Sequence, residues 1–102
     1  MSIYRLTDEA IQDLDDIVAY LSTFILNAVN RFLDAFEQKC ETLAKLPRIG
    51  KIYYNLQPNL RGLTIENHII FYRIVEDDIE VIRVVSGRRD LEKIFSEGDE
   101  NK

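Results

Sequence analysis

The chain has 102 residues, which is enough for one domain and excludes a multi-domain protein. Its 46% hydrophobic and 30% charged residues are ordinary for a globular domain and exclude intrinsic disorder over most of the length. No apolar run reaches the roughly 18 residues that a membrane span needs, and the first five residues lack the apolar stretch of a signal peptide. The single cysteine, Cys40, cannot form an internal disulfide, so we expect a cytoplasmic protein.

The net charge of −5 is distributed unevenly along the chain. Residues 1–46 carry four basic and eight acidic side chains, whereas residues 47–95 carry eight basic and seven acidic ones. A protein that binds nucleic acid on its own usually has a strong positive excess, so we do not expect independent nucleic-acid binding. A local basic site stays open in the second half, whose arginines include Arg61, Arg73, Arg83, Arg88 and Arg89.

The first residues, Ile3 to Leu6, predict a short strand that ends at Thr7. Thr7 is also a suitable N-cap for a helix over about residues 8–23, because two acidic residues follow it in the first helical turn. Apolar residues then recur at the spacing of one helical face: Ala10, Leu14, Ile17, Val18 and Leu21. Three aspartates lie off that stripe and are interpreted as a solvated face: Asp13, Asp15 and Asp16.

A second helix is predicted from Asn27, which can cap it, towards Pro47, because the residue before a proline disfavours helical dihedral angles. Its buried stripe consists of Val29, Phe32, Leu33, Phe36, Cys40 and Leu43. The short connection between the two helices favours an antiparallel pair.

After Gly50 the hydrophobic pattern changes from a helical period to a strand period. Three strands are predicted, over residues 61–65, 68–75 and 79–85, and the short links between them imply an antiparallel meander. Residues 51–60 fit either a strand fragment or a packed loop. Residues 88–95 predict a short helix, and the polar residues 96–102 predict a flexible tail after a single domain over residues 1–95. The fold class is therefore α+β, with a short N-terminal strand and two antiparallel helices on one face of an antiparallel sheet.

Both faces of the last two strands are predicted to be apolar. In strand 68–75 the two alternating sets are Ile69, Phe71 and Val75 on one side and Ile70, Tyr72 and Ile74 on the other. Two helices cover only one face of a sheet. The other face is either an exposed patch that a partner covers or a face that the C-terminal segment hides through Leu91 and Phe95, and the pattern does not decide between them.

Few residues have the chemistry of a catalytic or metal site. His68 is interpreted as a strand-end residue, and Cys40 as a small buried thiol on the helical stripe. The sequence has no cluster of histidine, cysteine and carboxylate at ligand spacing and no glycine-rich phosphate loop, so we expect neither a metal ion nor a cofactor. The polar sides of both helices are too acidic for a membrane surface.

The segment from Gly87 to Asp90, at the exit of the last strand, is the best candidate for a binding site. Arginines on a rigid sheet can bind an anionic partner, which is the role considered for Arg88 and Arg89. The structural alternative is that Asp90 pairs with one of these arginines and caps the following helix.

Particular residues recur in a specific order from the first strand to the C-terminal segment. They are Tyr4, Leu6, Thr7, Ala10, Asp13, Leu14, Ile17, Tyr20, Leu43, Pro47, Gly50, Leu60 to Leu63, Ile70 to Arg73, Ile82 to Val84, Gly87 to Leu91, and Phe95. Over about residues 3–95 their order and spacing resemble the ParE branch of the RelE/ParE superfamily of type II toxin–antitoxin toxins. One departure is Ser86, which stands where ParE toxins frequently have a histidine.

The resemblance implies a strand–helix–helix–sheet fold and a hetero-oligomer with a cognate antitoxin protein that wraps the toxin. It also implies a toxin that is not an enzyme and that inhibits DNA gyrase by stalling it on cleaved DNA. The residues expected to bind the target are Arg61, Arg73, Arg83, Arg88, Arg89 and Asp90. Those expected to bind the antitoxin are Phe71, Tyr72, Val81, Val85, Leu91 and Phe95.

Two other functions stay open at the level of the sequence. The RelE branch cuts messenger RNA on the ribosome and typically uses two arginines and a C-terminal tyrosine, which align here with Ile69, Arg89 and Phe95. Only Arg89 has suitable chemistry, and a pI near 4.8 suits poorly a protein that enters an RNA-rich site. The third function is a non-toxic module that only binds the antitoxin, since a fold does not fix a function.

Overall fold

The computed structural model describes residues 3–24 and 26–100, which form five strands and three helices. The elements are β1 (Tyr4–Leu6), α1 (Asp8–Leu21), α2 (Leu26–Lys45), β2 (Lys51–Ile52), β3 (Arg61–Ile65), β4 (His68–Val75), β5 (Asp78–Ser86) and α3 (Leu91–Glu100). The α+β fold class predicted from the sequence is confirmed.

Helix α1 begins as the sequence predicts. The hydroxyl of Thr7 accepts a hydrogen bond from the backbone N–H of Ala10 at 3.1 Å, and Asp8 and Glu9 occupy the first turn. The helix ends at Leu21, two residues before the predicted end.

Helix α2 begins one residue before Asn27, so that residue lies inside the helix and not at its cap. The connection includes Ile25, which lies outside the described residues.

The sheet has the strand order β1-β5-β4-β3-β2. Strands β3, β4 and β5 form the predicted antiparallel meander, with two-residue turns at Glu66-Asn67 and Glu76-Asp77. Strand β1 pairs in parallel with β5, where Tyr4 lies opposite Ile79, so the sheet is mixed and not purely antiparallel. The sequence pattern contains no signal for this pairing because its two strands are far apart in the chain.

The face of the sheet under α1 and α2 forms the larger apolar cluster, which we call the helical core. Its buried residues come from both helices and three strands: Ala10, Phe32, Phe36, Cys40, Leu43, Ile65, Ile70, Tyr72, Ile79, Val81 and Val84. The predicted stripes of both helices supply most of their side chains to this core, but Leu33 is 37% exposed, and Val18 and Val29 are only partly buried and are not part of it.

The opposite face forms a second apolar cluster, which we call the C-terminal core, with the buried residues Leu60, Ile69, Phe71, Val85 and Phe95. The prediction that both faces are apolar is confirmed. Of the two alternatives for the second face, the described residues show the C-terminal segment folded back: the rings of Phe71 and Phe95 meet edge to face at 4.9 Å. Tyr53, from the segment that the sequence left unplaced, contacts Phe71 at 5.1 Å.

The turn between α2 and β2 is fixed by Tyr72. Its hydroxyl donates to the carbonyl oxygen of Pro47 at 2.7 Å and accepts from the N–H of Gly50 at 3.0 Å. A Cβ at Gly50 would lie 2.4 Å from that hydroxyl oxygen, so only glycine permits this close approach.

Helix α3 differs from the prediction at both ends. It begins at Leu91 and not at Arg88, because the Asp90 carboxylate accepts from the N–H of Lys93 at 3.2 Å and caps the helix. It continues through residues 96–100, which the sequence assigned to a flexible tail; residues 101 and 102 lie outside the described residues.

Candidate functional site

The free edge of β5, just beyond the end of β1, is closed by side chains of the first helix. The hydroxyl of Thr7 donates to the carbonyl oxygen of Ile82 at 2.8 Å, and the carboxylate of Asp13 accepts from the N–H of Val84 at 2.9 Å. In this way Thr7 and Asp13 make hydrogen bonds that a longer β1 would otherwise make. The register skips Ile82, which forms a β-bulge at the same place.

Asp13 also forms a two-point ion pair with Arg83. The carboxylate oxygens lie 2.6 Å from Nε and 3.0 Å from Nη2 of the guanidinium, and both side chains are at least three-quarters buried. The sequence-based interpretation of Asp13 as a solvated residue is therefore wrong, because the strand edge that it meets is 70 positions away. Arg83 is engaged inside the fold.

Next to this ion pair lies a groove of about 620 Å³ between α1, the start of α2 and the end of β5. Its apolar wall includes Ile17, Tyr20 and Phe32. Charged side chains of both signs also line it: Asp13, Asp16, Glu66, Arg88 and Arg89. We call this cavity the β5-end groove.

His68 lines the β5-end groove and lies edge to face against Phe32 at 5.3 Å. Its buried Nδ1 has no hydrogen-bond partner. Burial lowers the pKa of His68 below its ordinary value of 6.5, and the nearby Glu66 carboxylate only partly opposes this. The ring is therefore neutral at pH 7.

The predicted segment at the exit of β5 presents two exposed arginines at the rim of this groove. The backbone N–H of Arg89 donates to the carbonyl oxygen of Ser86 at 3.1 Å, and the N–H of Arg88 donates to the Ser86 hydroxyl at 3.3 Å. These bonds hold the backbone and leave both guanidinium groups exposed. Asp90 caps α3. This is the capping role that the structural alternative predicted for it.

The other two predicted arginines lie further along β4, away from its start at His68. Arg61 lies opposite Tyr72, whereas the last residue of β5, Ser86, lies opposite His68. Arg61 donates to the carbonyl oxygens of Arg48 and Gly50 at 3.1 and 3.0 Å. Arg73 donates to the side chain of Gln57 at 2.8 Å. The five arginines therefore do not form one cluster.

The six residues expected to bind the antitoxin divide between the two cores. Tyr72 and Val81 are buried under α1 and α2. The other four belong to the C-terminal core or pack against it: Phe71, Val85, Leu91 and Phe95. Phe71 is covered on this face by Phe95 of α3 and by Tyr53.

Cys40 is fully buried in the helical core, and burial raises the pKa of its thiol to about 12, with Glu37 and Glu41 acting in the same direction.

Among the residues that the structure describes, no group of three or more histidine, cysteine, aspartate or glutamate side chains is arranged to hold a metal ion. None of the described helices is long and apolar enough to span a membrane.

Comparisons with known proteins give one consistent result. A family profile described as "ParE toxin of type II toxin-antitoxin system, parDE" matches residues 4–91. Toxin ParE1 of Mycobacterium tuberculosis is 29% identical over 69 residues, which cover 67% of this chain and 70% of that protein. Toxin ParE3 of Caulobacter vibrioides is 29% identical over 59 residues, 58% of this chain and 59% of that protein.

Solved structures show the same fold. A chain of the chromosomal ParDE system from P. aeruginosa superposes with a TM-score of 0.71 at 20% identity, covering 84% of this chain and 96% of that one. The isolated E. coli RelE toxin superposes with a TM-score of 0.58 at 13% identity, covering 99% and 98%.

Proposed function

The chain belongs to the ParE toxin family of type II toxin–antitoxin systems, and we propose that it acts in the cytoplasm by inhibiting DNA gyrase and is neutralised by a cognate antitoxin. The observation that carries the proposal is the family match over residues 4–91, which includes the exposed Arg88 and Arg89. We propose a binding mechanism without catalysis, in which the toxin stalls gyrase on cleaved DNA.

The chemistry at the aligned nuclease positions supports this over the RelE-type alternative. Ile69 and Phe95 are buried in the C-terminal core, with 8% and 4% exposure. An aliphatic and a phenyl side chain have no group that accepts a proton or stabilises a phosphate. Arg89 alone, exposed at the groove rim, would have to perform the whole reaction.

The contact with the target is proposed at the β5-end groove. Arg88 and Arg89 are exposed there on a backbone that Ser86 holds, so they can bind an anionic surface without rearrangement. Arg61, Arg73, Arg83 and Asp90 stay predicted target contacts, although each already makes an internal hydrogen bond.

The antitoxin is proposed to bind the C-terminal core by covering or displacing α3. A partner segment would replace the contacts of Leu91 and Phe95 with the buried Phe71 and Val85. One of the structural neighbours is the E. coli RelBE toxin–antitoxin complex, with a TM-score of 0.59 at 13% identity. Tyr72 and Val81 stay predicted contacts that lie under the helices.

The test uses purified chain, DNA gyrase, ATP and relaxed plasmid. We expect loss of supercoiling together with accumulation of linear plasmid. Normal supercoiling at saturating chain contradicts the gyrase proposal, and cleavage of messenger RNA on ribosomes by the same sample would favour the nuclease. If the chain is only an antitoxin-binding module, its expression without the neighbouring gene leaves bacterial growth unchanged.

The site assignment is tested by charge reversal. Arg88→Glu and Arg89→Glu should raise the concentration for half-inhibition of gyrase about tenfold or more, because attraction to an anionic surface becomes repulsion. Lys39→Glu, an exposed change on α2, is the matched control and should shift it less than twofold. Unfolding of the Arg88 and Arg89 variants in circular dichroism would instead give these arginines a structural role.

A further inference from the structure

The α1 wall of the β5-end groove continues into an exposed pair of aromatic side chains. Tyr20, which lines the groove, is 65% exposed, and Phe24, just beyond the end of α1, is 64% exposed. The two rings meet edge to face with their centres 5.1 Å apart. We call this pair the aromatic tip. Single exposed apolar residues are ordinary, but adjoining aromatic side chains beside a groove are typical of a protein–protein contact.

The walls of the same groove carry opposite charges that the chain does not neutralise. Asp16 lies on the α1 wall, one helical turn before Tyr20. Arg88 and Arg89 lie on the facing wall, at the exit of β5. The Asp16 carboxylate accepts a hydrogen bond from the uncharged amide of Gln12 at 3.0 Å. Among the described residues, none of these three charged side chains belongs to an ion pair.

These charges restrict what the groove can accept. The other two carboxylates that line it are already paired: Asp13 with Arg83, and Glu66 with Arg31 at 3.7 Å. A nucleic-acid backbone would meet the arginines but would be repelled by Asp16 on the facing wall, and so would a purely acidic protein segment. The best occupant therefore carries both signs of charge beside an apolar surface.

The chain itself presents this combination. In a two-fold symmetric pair each contact occurs twice with the roles exchanged, so a surface whose two halves have opposite charge is complementary to itself. The acidic half here is Asp16, with the aromatic tip beside it, and the basic half is Arg88 with Arg89. A second copy related by a half rotation brings the acidic half of each chain to the basic half of the other.

We propose that the β5-end groove and the aromatic tip form a self-association surface, on which two copies of the chain bind as a two-fold symmetric dimer. Asp16 of each copy pairs with Arg88 and Arg89 of the other, and the two aromatic tips pack together at the axis. The contact uses few residues, so the dimer is weak. It covers both arginines and is therefore the inactive form of the toxin; that consequence alone rests on the proposed function.

The test is the average mass of the full chain in sedimentation, measured against concentration without gyrase or antitoxin. Between about 1 µM and 1 mM the mass should rise from the 11.9 kDa of one chain towards twice that value, with a midpoint of roughly 10–100 µM. The mass of one chain throughout this range would overturn the proposal and leave the groove to a different protein or to a nucleic acid. Because no target is present, such a failure does not bear on the inhibition of gyrase.

Charge reversal identifies the surface. Asp16→Arg sets like charges against Arg88 and Arg89 and should raise the midpoint about tenfold or more. The double change Arg88→Glu and Arg89→Glu sets like charges against Asp16 and should have the same effect. Asp15→Arg, exposed on the same helix but outside the groove lining, is the matched control and should shift the midpoint less than about twofold. Equal effects of the changes at Asp15 and Asp16 would contradict the assignment.

A mixture of the two charge-reversed chains gives the sharpest result. Each alone sets like charges together, but in a mixed pair every charge contact across the axis joins opposite signs. Equimolar mixing should therefore restore association to within about threefold of the parent midpoint. Both chains keep a net negative charge, so overall charge does not favour mixing. A mixture that associates no better than its components would overturn the proposal.

The aromatic tip is tested by a change that leaves every charge in place. Tyr20→Ser should raise the midpoint about threefold or more, because an aromatic contact at the axis is lost. Tyr20 is 65% exposed, so the variant should keep the circular dichroism spectrum of the parent chain. Dimerisation of this variant at the parent midpoint would contradict the packing of the two tips at the axis.

Discussion

The two apolar cores of this toxin lie back to back on one sheet but are held in different ways. Eleven buried residues of the described chain form the helical core, and they come from five elements. Five form the C-terminal core, and α3 contributes only Phe95 to them, with Leu91 and Ile94 partly buried beside it. Local stability follows the number of buried apolar contacts, so α3 should detach at a lower free energy than the helical core unfolds. The larger core defines the fold, whereas the smaller one is suited to exchange with a partner.

The largest expected effect breaks the helical core. Leu43→Ala should lower the free energy of unfolding by about 3 kcal/mol, because Leu43 is fully buried and the truncation leaves a cavity. Urea denaturation followed by circular dichroism measures it. Leu33→Ala, on the same helix but 37% exposed, is the control and should lose less than half as much. Equal losses would mean that the two positions are packed alike.

The next effect concerns the junction between the first helix and β5. Asp13→Ala should lower the free energy of unfolding by about 2 kcal/mol, because it removes the acceptor of the Arg83 guanidinium and of the Val84 N–H. Asp15→Ala, exposed on the same helix, should change it by less than about 0.5 kcal/mol. If the two variants are equally stable, the ion pair does not contribute to the fold.

A smaller effect separates the two cores directly. Phe95→Ala should lower the free energy of unfolding by only about 1 kcal/mol, because the loss is limited to the docking of α3. Hydrogen exchange of the α3 amides should accelerate strongly. Cys40 should stay as unreactive to a thiol reagent as in the parent chain, since it is buried in the helical core and its thiol pKa is about 12. Rapid labelling of Cys40 in this variant would show that the cores unfold as one unit.

The smallest effect is the dependence on pH. Because the pKa of His68 is lowered in the folded state, the unfolded chain binds the proton more readily, and stability is lost as pH falls from 6.5 through the folded pKa. Between pH 7 and pH 5.5 the urea midpoint should fall more in the parent chain than in His68→Gln. Carboxylates that titrate in the same range cancel in this difference. Equal falls in the two proteins would contradict the role assigned to the ring.

Local and periodic features were predictable from the sequence. The Thr7 cap, the two helical stripes and the three long strands depend on neighbours within a few positions, and all are present in the structure. The apolar character of both sheet faces was also predictable from alternation alone. For residues 51–60 the sequence left a strand fragment and a packed loop open, because the two residues of β2 give no period.

The site was less predictable because it depends on which strands are neighbours. Arg61 and Arg88 look like members of one basic group in the sequence. The register instead places Arg61 opposite Tyr72, in the middle of β4, whereas Arg88 follows Ser86, which lies opposite His68 at the start of β4. Asp13 looks like an exposed helical residue because a helical pattern does not show a strand edge 70 positions away. The start of α3 was misplaced since Asp90, and not an earlier residue, caps it, which leaves Arg88 and Arg89 outside the helix.

The parallel pairing of β1 with β5 has a consequence for the timing of synthesis. Thr7 and its partner Ile82 are 75 positions apart, so the first strand is translated long before the strand that holds it. At roughly 5–20 residues per second, that interval is about 4–15 s. During it the two helices have no complete sheet to pack on. The sheet is therefore completed only once β5 has been made, and α3 follows β5 in the chain.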